Sequence, residues 1–143
     1  MTTQQSISIE ATTNSVFKYL VDVENRKDYI PALEKVVMLD PLPIQLGSRY
    51  IEVAKIAGRR LETTYQVIDF EKNKKISAKT IESIFPIQAS LFLEKNGTGC
   101  DLTINLDFKL TGVFRMASSV IKGIVNQQAK DILRKVKVNL ERN

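Results

Sequence analysis

Two consecutive segments near the end of the chain constrain the fold more than any other part of the sequence. From Asp101 to Leu110, polar and apolar residues alternate strictly, which predicts a strand with one solvated and one apolar face. After Gly112 no proline interrupts the sequence, and apolar residues recur at helical spacing, at Ala117, Val120, Ile121, Ile124, Ile132 and Val136. A helix of about thirty residues would be roughly 45 Å long. It needs a broad apolar partner surface, which only the sheet can supply.

The first thirty residues predict one strand and two short helices. Ser6–Glu10 alternates with the period of a strand. Thr12 or Thr13 offers a hydroxyl N-cap for the first helix, and Asp22 can cap a second, short helix. Pro31 ends that second helix, because proline disfavours helical backbone in the residue before it.

The middle of the chain predicts further antiparallel strands, since apolar and turn-forming segments change about every 8–12 residues. These strands are expected at residues 35–40, 48–56, 60–70, 75–83 and 87–94. Asn96–Gly99 is the strongest hairpin signal, because its residues tolerate positive φ. The expected fold class is α+β in a single domain, residues 1–143: a curved antiparallel sheet of about seven strands wrapped around the long C-terminal helix, with two short helices after strand 1. Because a curved sheet does not fill the space around a straight helix, an apolar cavity is expected between them.

Composition excludes several classes of site. The chain has no histidine and one cysteine, Cys100, which excludes histidine-based catalysis, an intramolecular disulfide and a cysteine-built metal site. No metal site and no cofactor are expected.

The net charge is +5, but the basic runs are interrupted and no aromatic residue interleaves with them. This pattern favours a solvated basic face over nucleic-acid binding.

Targeting signals are also missing from the sequence. The first ten residues have neither a basic nor an apolar signal-peptide region. No apolar run approaches the ~20 residues that a transmembrane segment needs. We therefore expect a cytoplasmic protein, for which transient contact with a membrane surface and the oligomeric state stay open.

Four segments resemble the START-like superfamily with the helix-grip fold, in particular its polyketide cyclase/dehydrase and lipid-transport branch. They are Ser6–Ala11 followed by Val16–Leu20, the Asn25–Tyr29–Pro31 segment, Gly47–Tyr50 and the hairpin Leu93–Cys100. The chain departs from the family pattern at Tyr29, where Trp is commoner, and at Cys100–Asp101, where Arg-Val is common. The resemblance implies a hydrophobic pocket for lipids, polyketides, quinones, sterol-like or aromatic molecules. Its members include binding proteins, transfer proteins and cyclases, so it does not choose among these functions.

Glu52 and Tyr65 are the candidate catalytic residues. Two faces of segment 48–56 compete for the interior, one with Tyr50 and Glu52 and the other with Ile51 and Val53. In the first arrangement Glu52 enters the cavity, where it could act as a general base. In the second it is solvated or paired with a basic residue, for which the candidates are Arg49, Lys55 and Arg60. Tyr65 either orients a ligand carbonyl or is a core tyrosine bonded to the backbone.

The predicted ligand pocket combines residues of the sheet and the long helix. It comprises Tyr50, Tyr65, Phe85, Leu91, Phe108, Phe114, Met116, Val120, Ile124 and Gln128. Gln128 lies on the predicted apolar stripe of the helix, so either a ligand or a neighbouring group must satisfy its amide. Phe114 and Met116 lie where the helix begins and suit either a lid over the cavity or plain core packing.

These observations favour a carrier or sensor that binds a hydrophobic small molecule between the sheet and the C-terminal helix. One alternative is a polyketide cyclase/dehydrase-type enzyme that uses Glu52 or Tyr65. Another is a protein-interaction module that acts through its basic surface.

Overall fold

The strands of the protein form one antiparallel sheet. In the computed structural model, which describes residues 1–56, 58–83 and 85–142 without the side chain of Ile56, the sheet has seven strands in the order β1-β7-β6-β5-β4-β3-β2. Their bounds are Thr2–Ile9 (β1), Leu33–Met38 (β2), Arg49–Ile56 (β3), Arg59–Glu71 (β4), Lys75–Thr80 (β5), Ile87–Asn96 (β6) and Gly99–Phe108 (β7). The predicted antiparallel sheet and the Asn96–Gly99 hairpin, in which Gly97 has φ +60°, are confirmed.

Helices fill the gap after β1 and end the chain. The first two are α1 (Thr13–Val21) and α2 (Arg26–Tyr29), separated by a 3-10 turn over Val23–Asn25. The predicted caps are confirmed: the Thr12 side chain accepts from the backbone N–H of Ser15, and Asp22 accepts from that of Glu24. The long helix α3 (Ser118–Glu141) follows a six-residue 3-10 segment, Gly112–Ala117. The chain thus has the expected helix-grip arrangement of a sheet and a C-terminal helix.

The main core joins the second half of α3 to β7 and α1. On α3 the buried residues are Ala129, Leu133 and Val136. They belong to one apolar cluster with Leu102 of β7 and Phe17 of α1. The alternation that predicted an apolar face on β7 agrees with this core, because Leu102, Ile104 and Phe108 are buried. Burial of this face holds α3 against the sheet.

The apolar stripe predicted for the first half of α3 is wrong. Val120 and Ile124 are 66% and 49% exposed. The ammonium group of Lys137 donates to the Ser8 carbonyl oxygen of β1 at 2.6 Å. On a helix with 3.6 residues per turn, Val120 and Ile124 are rotated by about 100° and about 140° from Lys137. They therefore lie outside the side of α3 that contacts β1. The sequence spacing identified an apolar stripe but not the rotation of the helix about its axis.

Candidate functional site

A cavity of about 210 Å³ lies between the concave face of the sheet and α3. Eighteen residues line it, and twelve of them are apolar. The apolar wall consists of Leu20, Ile30, Ile76, Ala78, Ile87, Ala89, Leu91, Ile104, Leu106, Phe108, Val125 and Ile132. The polar wall consists of Arg26, Tyr29, Tyr50, Glu52, Tyr65 and Gln128. Such a chamber suits a mainly apolar guest that carries a polar group at one position.

The cavity exists because two small residues meet on the inner face of the sheet. Ala78 of β5 pairs directly with Ala89 of β6. Along the same two strands, Ile76 pairs with Leu91, and these larger side chains also line the cavity. The alanine pair therefore leaves a hollow next to a filled layer of the wall.

A buried ion pair joins α2 to β3 in the polar wall. The Arg26 Nε donates to Glu52 Oε2 at 3.0 Å, and Arg26 Nη2 donates to the same oxygen. The two side chains are only 16% and 14% exposed. Burial by itself would lower the pKa of Arg26, but the charge of Glu52 and their hydrogen bond hold it well above its ordinary value. The guanidinium therefore stays charged within the wall.

Two tyrosines extend this polar wall across β3 and β4. Tyr50 and Tyr65 are cross-strand partners, and their rings stack with centroids 5.6 Å apart. The guanidinium carbon of Arg26 lies 5.3 Å from the ring centroid of Tyr50, which places a cation over an aromatic face. Burial first, and then the negative charge of Glu52, raise the pKa of Tyr65. For Tyr50, burial also raises the pKa although Arg26 opposes it. Both phenols therefore stay protonated and can donate hydrogen bonds.

Tyr29 has a different role from the other two wall tyrosines. Its hydroxyl donates to the carbonyl oxygen of Leu20 at 3.1 Å. This bond ties α2 to the end of α1 and fills the donor capacity of the phenol. Tyr29 therefore positions α2, and with it Arg26, against the sheet.

The structure resolves which face of β3 points inward. Tyr50 and Glu52 both line the cavity. Arg49 and Arg60, two of the partners considered for Glu52 in the other arrangement, pair instead with Asp40 and Glu34. The partner is Arg26, which was absent from the candidates because it lies on a helix in a different part of the sequence.

The predicted pocket residues divide into two groups. Tyr50, Tyr65, Leu91, Phe108 and Gln128 line the cavity. The other five lie outside its lining residues: Phe85, Phe114, Met116, Val120 and Ile124.

The five residues outside the lining have two different surroundings. Phe85 stacks on Phe108 with centroids 6.2 Å apart and meets Phe114 edge to face, so these rings pack behind the wall. Met116 is 93% exposed, and like the exposed Val120 and Ile124 it lies outside the cavity lining. These three positions lie outside the lining because the first half of α3 is not packed as its apolar spacing predicted.

Sequence reasoning also missed several wall residues. Arg26 carries no local signal, since a charged residue on a short helix is ordinarily solvated. Ala78 and Ala89 do have one: each takes the inward position on a strand where Ile or Leu stands two residues away. A small residue at such a position can mark a hollow, but only the strand register shows that the two alanines coincide.

Other chemistry finds little support in the described part of the chain. There, no three Asp, Glu, Cys or His side chains come together as a metal site. Burial raises the pKa of the Cys100 thiol, which makes it a poor nucleophile. None of the helices in residues 1–56, 58–83 and 85–142 has the length and apolar character needed to cross a membrane.

Comparison with solved structures relates this fold to others. TTHA0849 from Thermus thermophilus superposes with a TM-score of 0.82 at 14% identity, covering 96% of this chain and 94% of that one. The Zhui aromatase/cyclase from Streptomyces gives 0.80 at 18% identity, covering 99% and 94%. The di-domain ARO/CYC StfQ from the steffimycin biosynthetic pathway gives 0.79 at 12% identity, covering 96% of this chain and 49% of that one. At such identities the likeness shows a shared fold.

Sequence comparison gives the family. No curated protein matches the chain. The family model described as polyketide cyclase / dehydrase and lipid transport matches residues 1–141, nearly the whole sequence. The chain therefore belongs to the polyketide cyclase / dehydrase and lipid transport family.

Proposed function

We propose that the protein binds a compact hydrophobic small molecule in the cavity between the sheet and α3, and that it acts as a carrier or sensor. The observation that carries this proposal is the mainly apolar chamber of about 210 Å³. Burial of apolar surface contributes about 25 cal/mol per Å², so such a wall binds an apolar guest without any special group. If side chains had filled the space between the sheet and α3, we would instead have favoured the alternative of a protein-interaction module that acts through its basic surface.

The volume of the chamber limits the size of the guest. A dry cavity of about 150 Å³ accommodates benzene. At about 210 Å³, this one is suited to a body of one or two fused rings. A four-ring polyketide or a long acyl chain would require α3 to move away from the sheet.

The polar wall favours binding over proton abstraction. Glu52 is engaged by Arg26, and the raised pKa values of Tyr50 and Tyr65 keep both phenols protonated. A general base needs an available lone pair beside the proton that it removes. These groups are better suited to orienting a ligand through hydrogen bonds.

The cyclase/dehydrase alternative retains one specific observation in its favour. Glu52 lies in the same cavity wall as Tyr50 and Tyr65, so a carboxylate and two phenols lie together, as acid–base chemistry would need. The Zhui aromatase/cyclase has a similar fold. An enzyme of this kind would release a product that differs from the ligand taken up, in mass where water is lost and in chromatographic retention where ring closure is an isomerisation, whereas a carrier returns its ligand unchanged.

Native mass spectrometry of the protein purified from its own host tests the proposal. We expect an adduct that solvent extraction releases, and that re-binds and returns with its mass and its chromatographic retention unaltered. The Ala89→Leu variant, purified in the same way, should lack the adduct because its side chain fills the chamber. A wild-type protein with no adduct, and with no uptake of added naphthalene, would contradict the proposal.

A further inference from the structure

We infer that the Arg26–Glu52 pair is a recognition site for an uncharged hydroxyl group, so that the ligand is a compact aromatic or alicyclic molecule bearing a phenol or alcohol. This inference rests on the proposed function and specifies the ligand class. It starts from hydrogen-bonding capacity that the pair does not use within the protein.

The geometry of the pair leaves both a donor and an acceptor available. Two N–H groups of Arg26 converge on one oxygen of Glu52, Oε2. In the described part of the chain, Glu52 Oε1 accepts no hydrogen bond, and the guanidinium has five N–H donors in all. The wholly buried side-chain atoms that lack a partner there belong to Asn73 and Asn105. The unused atoms of the pair are therefore not sealed within the protein.

Unused polar atoms beside an apolar chamber favour a polar guest. Arg26 and Glu52 line the same cavity as twelve apolar side chains. A polar group that leaves water without finding a partner loses the hydrogen bonds it made to water, which weakens binding. A ligand that placed a purely apolar surface against the pair would incur this loss, whereas a ligand with a matching polar group would avoid it.

Charge balance selects an uncharged group over an ion. The guanidinium and the carboxylate cancel, so the pair has no net charge. A carboxylate ligand would be attracted by Arg26 but repelled by Glu52, and an ammonium group would meet the reverse. A hydroxyl can accept from Arg26 and donate to Glu52 Oε1 at the same time, which suits the donor and acceptor side by side.

The two stacked tyrosines support the same assignment. Within residues 1–56, 58–83 and 85–142, the hydroxyl groups of Tyr50 and Tyr65 make no hydrogen bond, and burial raises the pKa of both phenols. They extend the wall beside Arg26 with groups that donate and accept without charge. An additional carbonyl or hydroxyl on the ligand would therefore also find a partner here, while a second ionic group would not.

Three matched probes test this inference on the full chain: naphthalene, 2-naphthol and 2-naphthoate, measured by titration calorimetry at neutral pH. They share one ring system of a size suited to the chamber. We expect 2-naphthol to bind about tenfold more tightly than naphthalene, as one added hydrogen bond would give. We expect 2-naphthoate to bind more weakly than 2-naphthol.

The double variant Arg26→Met with Glu52→Leu removes the pair and keeps the wall apolar. It should lose the preference for 2-naphthol, so that 2-naphthol and naphthalene bind this variant with similar affinity. Glu52→Gln is a second, more conservative variant that leaves the charge of Arg26 uncompensated. In that variant, 2-naphthoate should bind at least about tenfold more tightly than in the wild type.

The outcomes separate this inference from the function on which it rests. Equal binding of naphthalene and 2-naphthol by the wild type would overturn the hydroxyl site and leave the apolar binding function intact. Tightest binding of 2-naphthoate by the wild type would show an anion site and also overturn it. If none of the three probes bound, the proposed function would fail together with the inference.

Discussion

Ala78 and Ala89 lie directly opposite each other on β5 and β6, and both line the cavity. A pair of larger residues at these positions would meet above the sheet and close the space beneath α3. The hollow is therefore encoded by side-chain size at one cross-strand pair, and substitution there should change binding without removing the fold.

We expect Ala89→Leu to weaken the binding of naphthalene by at least about tenfold, because the new side chain occupies the space of the ring. The free energy of unfolding should change by less than about 1.5 kcal/mol, since the added atoms enter existing space. Titration calorimetry and urea unfolding measure the two effects. Gln88→Leu is the matched control, because Gln88 is exposed and outside the cavity lining. Equal weakening in both variants would contradict the role assigned to Ala89.

The Arg26–Glu52 pair should be strongly coupled in stability. Arg26→Met leaves a carboxylate in the wall without its partner, which typically costs about 3–5 kcal/mol. In the double variant with Glu52→Leu, most of this loss should be recovered, because no uncompensated charge remains. Urea unfolding of the wild type, both single variants and the double variant gives the coupling free energy. Additive effects of the two substitutions would show that the pair is not formed in solution.

Stability should fall at alkaline pH because of the buried tyrosines. Burial raises the pKa of Tyr50 and Tyr65 in the folded state, whereas in the unfolded chain they titrate near pH 10. The folded state keeps these protons after the unfolded state has lost them. Their contribution is therefore fully present below about pH 10 and is lost as the pH rises above that value.

Two measurements check this prediction. Tyrosinate absorbance should develop together with unfolding rather than as a separate earlier step, because the pKa of Tyr19 and Tyr29 is also raised. The double variant Tyr50→Phe with Tyr65→Phe should show a smaller fall in the free energy of unfolding above pH 10. A wild-type protein in which all four tyrosines ionise near pH 10 while still folded would refute it.

Features set by neighbouring residues were predictable from the sequence. The caps at Thr12 and Asp22, the Asn96–Gly99 hairpin and the alternation in β7 each depend on residues close together in the chain. Sheet twist and the long apolar helix predicted a curved sheet around the C-terminal helix, and the family resemblance agreed with this arrangement. The fold class and the order of the elements could therefore be predicted, but not the strand ends, the 3-10 segments before α2 and α3, or the rotation of α3 about its axis.

The chemistry of the site depends on pairs that are distant in sequence. Arg26 and Glu52 meet because α2 packs at the concave face of the sheet, and no local pattern links them. Ala78 and Ala89 coincide only through the β5–β6 register. Sequence alternation could place Glu52 on one of two faces, but it could not choose the face or supply the partner.

The rotation of α3 can be tested by two substitutions of the same residue type. Val136 is fully buried in the core, whereas Val120 is 66% exposed. Val136→Ala should lower the free energy of unfolding by about 2 kcal/mol through lost burial and the cavity left behind. Val120→Ala should change it by less than about 0.5 kcal/mol, as is usual for surface positions. Urea unfolding measures both free energies. If Val120→Ala lowered the free energy of unfolding more than Val136→Ala, the helix would be oriented as the apolar spacing of the sequence predicts and not as the Lys137–Ser8 contact indicates.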